Sequence, residues 1–266
     1  MVSIRVLQNI GVKNAIKSLE RFGFDTSKMQ PNLSLALGTH AFTPLTMAGA
    51  YSILANGGFQ VQPFIVQRIG DSTGNTVYQQ PAVVACSDCA TEFPGQDVQP
   101  ANRVIDEQNA YIIDDMLKDV IRRGTGRPAL VLERPDIAGK TGTTNGPTDV
   151  WFAGYNPAIA TTVWLGFDNN TPLGKREYGG TAALPIWISF MREALAGKPV
   201  IERTMPPGLR TMRIDPDTGQ LTSSDRSDAI FEIFRGEPEG SSAAGSDSAV
   251  GTPPENGLTG TSEDLF

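Results

Sequence analysis

The fold is decided by residues 137–167, which read IAGKTGTTNGPTDVWFAGYNPAIATTVWLGF. Three runs in this stretch, 137–144, 149–155 and 160–167, are rich in β-branched and aromatic residues, which favour strands. Asn-Gly-Pro and Asn-Pro separate the runs, and these residues favour turns. Short consecutive runs with tight connections predict three strands that form an antiparallel meander.

Helical patterns lie on both sides of this meander. Thr43 and Pro44 provide an N-cap and a first-turn proline for a helix that ends at Asn56, and the last helix stops at Gly197 and should cover the sheet. The predicted helices span residues 4–8, 13–21, 45–55, 106–123 and 184–195. Helices and antiparallel strands in separate runs predict an α+β domain, in which helices cover an antiparallel sheet.

The rest of the chain divides by composition. A hairpin is predicted from residues 61–69 and 76–79, and with a loop it forms an insertion over about 59–100. Residues 1–200 are expected to form the folded domain, and 201–266 a C-terminal extension where periodicity fades. From about residue 236, Ser, Gly, Pro, Glu and Ala dominate, which predicts a disordered acidic tail.

Charge and hydropathy exclude several classes of function. The chain carries 22 Lys and Arg against 29 Asp and Glu, a formal net charge of −7, which is the wrong sign for a nucleic-acid binder. No stretch approaches the roughly 20 apolar residues that a membrane span needs. No signal peptide or membrane anchor is recognisable in the sequence.

Histidine is scarce in this sequence. His40 is the one histidine of the chain, so a Ser-His-Asp triad, a Cys-His dyad or a multi-histidine metal site would have to use it. We expect His40 to have a structural or surface role. We also expect no metal and no cofactor.

The densest group of chemically useful residues is GKTGTT at 139–144. On a strand, Thr141 and Thr143 project to the same face, and Gly142 lets a ligand approach the backbone. Lys140 adds positive potential, so the predicted ligand is an anion such as the C-terminal carboxylate of an extended peptide.

Two other interpretations of this segment are possible. Gly139-Lys140-Thr141 matches the end of a nucleotide-binding P-loop, but Arg134 stands where the first glycine is needed, and a turn follows where a helix is needed. The remaining alternative is an edge strand in which Lys-Thr-Gly occurs by chance.

Four segments, in order, resemble one family. Lys140-Thr-Gly resembles the third motif of the serine penicillin-recognising enzymes. The string GKTGTTNGPTDVWFAGYNP from Gly139 is similar to that of class A penicillin-binding proteins, the bifunctional peptidoglycan synthases. The segments TPLTMAGAYSILANGG at 43–58, RGTGR at 123–127 and ALPIWISFM at 183–191 agree with the same transpeptidase domain. The resemblance covers about residues 2–200.

The resemblance implies a partial serine transpeptidase fold, similar to that of β-lactamases. It implies an enzyme that crosslinks, through an acyl-serine, the stem peptides of peptidoglycan, whose glycan strands are derived from lipid II. It also implies that β-lactams acylate this enzyme. Lys140, Thr141, Gly142, Thr143 and Thr144 would bind substrate, and the N–H of Thr143 would help stabilise the oxyanion. The family works at the periplasmic face of the bacterial inner membrane.

The catalytic serine motifs are missing from these residues. No serine is followed three positions later by lysine, and no Ser-x-Asn tripeptide occurs. The segment starting at Val2 resembles the part of the family's sequence just after the second motif, so the nucleophile, its lysine and a membrane anchor are expected upstream. The chain alone is expected to be inactive. The alternative is a non-catalytic module that binds D-Ala-D-Ala peptides.

The two cysteines leave the redox state open. Cys86 and Cys89 enclose Ser-Asp in a predicted loop, and a zinc site would lack its other ligands. Because the family faces the oxidising periplasm, a local disulfide and free thiols are equally expected.

Overall fold

The computed structural model describes residues 2–222 and 226–236 of the 266-residue chain. The predicted tail from about residue 236 therefore lies almost entirely outside the described residues. Contacts divide the chain into two compact units, Met1–Thr204 and Met205–Phe266.

Six α-helices are found in the described part of the chain. The predicted helices are confirmed, and most extend the predicted range by one or more residues. Three short elements with other helical geometry also occur: the 3-10 helices Leu33–Leu37 and Arg127–Leu132 and the π-helical turn Gly179–Ala183. The α-helices are α1 (Val2–Ile10), α2 (Val12–Arg21), α3 (Pro44–Ala55), α4 (Cys89–Glu92), α5 (Glu107–Arg122) and α6 (Leu184–Ala194).

Eleven strands are found in the same residues. Most are short, and the longest two belong to the predicted meander. The strands are β1 (Phe59–Gln60), β2 (Arg68–Gly70), β3 (Thr76–Gln79), β4 (Val83–Val84), β5 (Gln99–Pro100), β6 (Asn102–Arg103), β7 (Ala138–Thr143), β8 (Asp149–Asn156), β9 (Ile159–Gly166), β10 (Leu209–Ile214) and β11 (Ile230–Arg235).

Side-chain caps explain where the two long helices before the sheet begin. The hydroxyl of Thr43 accepts a hydrogen bond from the N–H of Thr46 over 3.1 Å at the start of α3. The carboxylate of Asp106 accepts one from the N–H of Asn109 over 2.9 Å at the start of α5. Such caps satisfy backbone donors that lack partners in the first helical turn.

The central sheet has the order β7-β8-β9, and all its pairs are antiparallel. In its register Thr141 lies opposite Phe152, and Phe152 lies opposite Val163. The predicted meander is confirmed, although five of its six strand ends differ from the prediction by one residue, and the first strand ends at Thr143 and not at Thr144.

Helices cover both faces of this sheet. On one face, Phe152 packs against Trp187 of α6, with ring centroids 4.9 Å apart. On the other face, Tyr155 packs with Leu54 and Ala55 of α3. The side chains of a strand alternate between faces, so both faces of β8 are buried by different helices. The prediction that the last helix covers the sheet is confirmed.

The insertion contains the predicted hairpin in a shorter form. β2 pairs with β3 as expected, but residues 61–67 form no strand. Pro63 lies in this segment and cannot donate a backbone hydrogen bond, which disfavours a strand. Two pairs were not predicted: β1 with β6, and the parallel pair β4 with β5. Cys86 and Cys89 form a disulfide, which decides between the two open alternatives.

The second unit contains a hairpin that the sequence analysis did not predict. β10 and β11 pair antiparallel, with Leu209 opposite Arg235 and Ile214 opposite Ile230. The fading periodicity after residue 201 therefore did not mean that ordered structure ends there. No helix in residues 2–222 and 226–236 has the length and apolarity needed to cross a membrane.

Candidate functional site

The predicted site lies on the outer strand of the central sheet. β7 pairs with β8 on one side, and in the described residues no strand pairs with it on the other. The N–H of Thr144 donates to the carbonyl of Asp149 over 3.0 Å. Because backbone groups alternate in direction along an antiparallel strand, the N–H and C=O groups of Thr141 and Thr143 point away from β8. We call this side of β7 the open edge.

Two hydroxyls lie together on one face at the open edge. Thr141 and Thr143 share a face of β7, as the sequence predicts, because they are two residues apart. The Oγ1 of Thr141 lies 2.7 Å from the Oγ1 of Thr125. The Oγ1 of Thr143 accepts a hydrogen bond from the N–H of Gly179 over 3.0 Å.

Lys140 projects to the opposite face of β7. Its ammonium nevertheless reaches the open edge, because Nζ donates to the carbonyl oxygen of Thr141 over 2.8 Å. Burial lowers the pKa of Lys140 from its ordinary value of 10.5. The structure thus brings a positive charge to the same edge as the two hydroxyls, but from the other side of the strand.

Gly142 provides close backbone packing. A Cβ at this position would lie 3.1 Å from the Cβ of Trp151, the residue opposite it on β8. A side chain at residue 142 would therefore press on Trp151, which would have to move by a few tenths of an ångström. Gly142 thus allows β7 and β8 to pack closely at this position.

Thr144 follows the strand and stabilises the turn to β8. Its Oγ1 accepts hydrogen bonds from the N–H of Thr148 over 3.1 Å and from the N–H of Asp149 over 3.0 Å. The hydroxyl of Thr144 is therefore held by the turn, whereas those of Thr141 and Thr143 lie on the site face.

The nucleotide-binding interpretation of this segment is wrong. Gly139, Lys140 and Thr141 lie inside β7, and the chain after Thr144 turns back into β8. A P-loop needs a loop that opens a helix, whose N-terminus holds the phosphate. The extended backbone here cannot wrap a phosphate in that way.

Gly179, at the start of the π-helical turn, was not among the site residues predicted from the sequence. A Cβ on Gly179 would lie 2.5 Å from the carbonyl oxygen of Gly142 and would also meet the carbonyl oxygen of Trp151. Only glycine lets this turn approach the sheet closely enough for its N–H to reach Thr143. In the sequence, the Gly-Gly pair before the last predicted helix was the one feature that could have indicated this close approach.

Thr125, the centre of the RGTGR segment, was likewise not among the predicted site residues. The N–H of Gly126 donates to the carbonyl of Val120 over 2.8 Å, which folds the loop onto the last turn of α5. A Cβ on Gly126 would lie 2.8 Å from the Cδ1 of Ile121. This close packing presents the hydroxyl of Thr125 to β7.

Comparison with known proteins identifies a common family. The family model described as "Penicillin binding protein transpeptidase domain" matches residues 3–192. Penicillin-binding protein 1A of Pseudomonas aeruginosa is 44% identical to this chain over 270 residues, which covers 89% of this chain and 33% of that protein.

Two solved structures are similar to this one. The crystal structure of penicillin-binding protein 1A from Haemophilus influenzae has a TM-score of 0.79 and 33% identity, and the match covers 88% of this chain and 38% of that one. PonA1 from Mycobacterium tuberculosis in complex with penicillin V has a TM-score of 0.53 and 26% identity, over 68% of this chain and 45% of that one. This chain spans about a third of the length of the Pseudomonas relative.

Proposed function

The chain belongs to the penicillin-binding protein transpeptidase family, and from this premise we propose that it forms the carboxylate-binding part of a peptidoglycan D,D-transpeptidase. The observation that carries the proposal is the open edge of β7, where the hydroxyls of Thr141 and Thr143 share one face. An extended peptide can lie along such an edge and pair with its backbone groups.

In the proposed complex, the stem peptide ends in D-Ala-D-Ala and its terminal carboxylate lies beside Thr141 and Thr143. A carboxylate only accepts hydrogen bonds, so hydroxyl donors and the ammonium of Lys140 complement it. Gly142 allows the strand to pack closely on β8, and Thr144 holds the turn that ends the strand. The N–H of Thr143 points out of the open edge, where it can donate to a developing oxyanion.

The proposed reaction proceeds through an acyl-serine. The serine oxygen attacks the carbonyl of the penultimate D-Ala, and the bond to the terminal D-Ala breaks. The amine of a second stem peptide then displaces the serine and forms the crosslink; water in its place would give carboxypeptidase activity. A β-lactam acylates the same serine, which makes the protein an antibiotic target.

We place the serine and its activating lysine outside these 266 residues, since no Ser-x-x-Lys or Ser-x-Asn occurs in them. The chain alone is therefore proposed to be inactive. The whole protein is proposed to act at the periplasmic face of the inner membrane, held by an anchor outside this sequence. There it would crosslink glycan strands made from lipid II and contribute to cell shape.

Labelling with a fluorescent penicillin tests this function. The full-length gene product and the 266-residue chain are incubated with the reagent, denatured and compared on a gel. We expect a covalent label on the full-length protein and none on the chain alone. A full-length protein that never labels contradicts the transpeptidase function, and labelling of the chain alone contradicts the placement of the nucleophile.

A second function is favoured by the same missing motifs: a non-catalytic module that binds D-Ala-D-Ala peptides. Titration of the protein with such a peptide would then give saturable binding, weakened by Thr143→Val, with no release of D-Ala. Release of D-Ala by the full-length protein would exclude this alternative.

A further inference from the structure

The hydroxyls of Thr141 and Thr143 at the open edge each form a hydrogen bond with one polar group from another segment of the chain. The N–H of Gly179 donates to Thr143 over 3.0 Å. The hydroxyl of Thr125 lies 2.7 Å from that of Thr141, and either oxygen of this pair can be the donor. The first contact has a fixed direction, whereas the direction of the second depends on what else Thr141 binds.

A bound carboxylate would decide that direction. Because a carboxylate only accepts, Thr141 must give its proton to the ligand, and its oxygen then accepts from Thr125. The order becomes Thr125 to Thr141 to carboxylate, which parallels Gly179 to Thr143 to carboxylate. Hydrogen bonds in such chains strengthen one another by polarisation.

Resting on the proposed function, we infer that Thr125 is a positioning residue for carboxylate recognition. It acts through Thr141, by donating to the hydroxyl that faces the ligand, and it does not itself touch the ligand. Without the Thr125 hydroxyl, Thr141 keeps its side chain but loses the donor that orients its proton outward.

The position of Thr125 is held from two sides. The loop of residues 124–126 packs on the end of α5 through the hydrogen bond from Gly126 to Val120. A Cβ on Gly180 would lie 3.1 Å from the carbonyl oxygen of Thr125 and 3.9 Å from the Cγ2 of Thr141. The π-helical turn that supports Thr143 therefore also lies against the Thr125 loop, so both supporting groups belong to one packed assembly.

The test compares acylation of the full-length protein by benzylpenicillin and by its methyl ester, which lacks the negative carboxylate. Thr125→Val removes the donor at nearly constant volume, and Thr125→Ser retains it. We expect Thr125→Val to slow acylation by benzylpenicillin about fivefold, in line with the loss of one hydrogen bond. Acylation by the ester should change little, and Thr125→Ser should restore the rate with benzylpenicillin.

Thr141→Val should show the same selectivity, and Thr211→Val, at an exposed strand position outside the site, should change neither rate. Thermal unfolding of each variant reports on folding, and Thr125→Ala replaces Thr125→Val if the latter unfolds. If Thr125→Val slows acylation by both reagents equally, or slows neither, in a protein that is still acylated, the inference is wrong but the proposed function stands. A wild-type protein that neither reagent acylates overturns the proposed function and the inference together.

Discussion

The hydroxyl of Tyr155 donates to the Oδ1 of Asp114 over 2.9 Å, and both side chains are buried. The Nζ of Lys118 lies 2.8 Å from the other carboxylate oxygen, and Arg203 lies 3.8 Å from Oδ1. Burial raises the pKa of Tyr155, and the neighbouring Asp114 raises it further. This pair joins α5 to β8, the strand that pairs with the site strand β7.

Removal of the Tyr155 hydroxyl should destabilise the protein moderately. Tyr155→Phe loses one buried hydrogen bond but leaves Lys118 on the carboxylate, so we expect the free energy of unfolding to fall by about 1–2 kcal/mol. Asp114→Ala should cost about 3 kcal/mol or more, because it leaves the largely covered ammonium of Lys118 and the buried hydroxyl of Tyr155 without their partner. Urea denaturation measures both. Tyr78→Phe, at an exposed tyrosine, is the matched control, and an equal loss there would contradict the assignment.

Alanine substitutions at two glycines should have opposite effects. Gly179→Ala places a Cβ against the backbone oxygens of Gly142 and Trp151, so we expect a loss of about 1–3 kcal/mol and slower acylation by penicillin. Gly49→Ala, within α3, meets no atom within 4 Å and should stabilise the protein by about 0.5–1 kcal/mol. Thermal and urea unfolding provide the comparison. Similar effects at both positions would show that close packing at Gly179 is not the cause.

Asp136 should give the protein part of its sensitivity to acid. Burial alone would raise the pKa of Asp136, but hydrogen bonds from Arg134, from the N–H of Ile201 and from Asn156, together with the charge of Arg134, hold it below the ordinary 3.8. A lowered folded-state pKa means that the unfolded chain binds the proton more readily. The stabilisation is therefore complete above pH 3.8 and is lost as the pH falls through the folded-state pKa.

Unfolding free energies measured from about pH 7 down to about pH 2 check this prediction. Asp136→Asn should be less stable than wild type at about pH 7 and should lose less stability between about pH 4 and pH 2. Asp168→Asn, at an exposed carboxylate, should leave the acid branch unchanged. Parallel curves for wild type and Asp136→Asn would rule out the role given to Asp136.

Binding of a D-Ala-D-Ala peptide should weaken at alkaline pH. Since burial lowers the pKa of Lys140 below 10.5, its ammonium loses the proton at a lower pH than an exposed lysine. The attraction for the peptide carboxylate then falls as the pH rises through that lowered pKa. Calorimetric titration from about pH 7 up to the ordinary lysine pKa of 10.5 should show this fall in wild type and a flatter profile in Lys140→Arg. Lys17→Arg, at an exposed lysine, should follow wild type, and a flat wild-type profile would contradict the prediction.

Local sequence patterns were sufficient for the elements that build the site. The turn residues between 144 and 149 and the β-branched runs on either side predict β7 and β8, since turn geometry and strand propensity act over a few residues. The alternation of a strand then places Thr141 and Thr143 on one face. The same kinds of pattern predicted too long a strand before Arg68 and did not indicate β10 and β11, whose pairing depends on contacts between distant residues.

The sequence by itself predicted which residues of 139–144 could bind an anion, and its ordered motifs indicated the family. Only the tertiary structure decided what surrounds them: Thr125 lies 16 residues before Thr141, and Gly179 lies 36 residues after Thr143. Likewise, Asp114 interrupts the apolar pattern of α5, yet it is buried because Tyr155, Lys118 and Arg203 meet there. Such contacts arise when packing brings remote segments together, which no local propensity encodes.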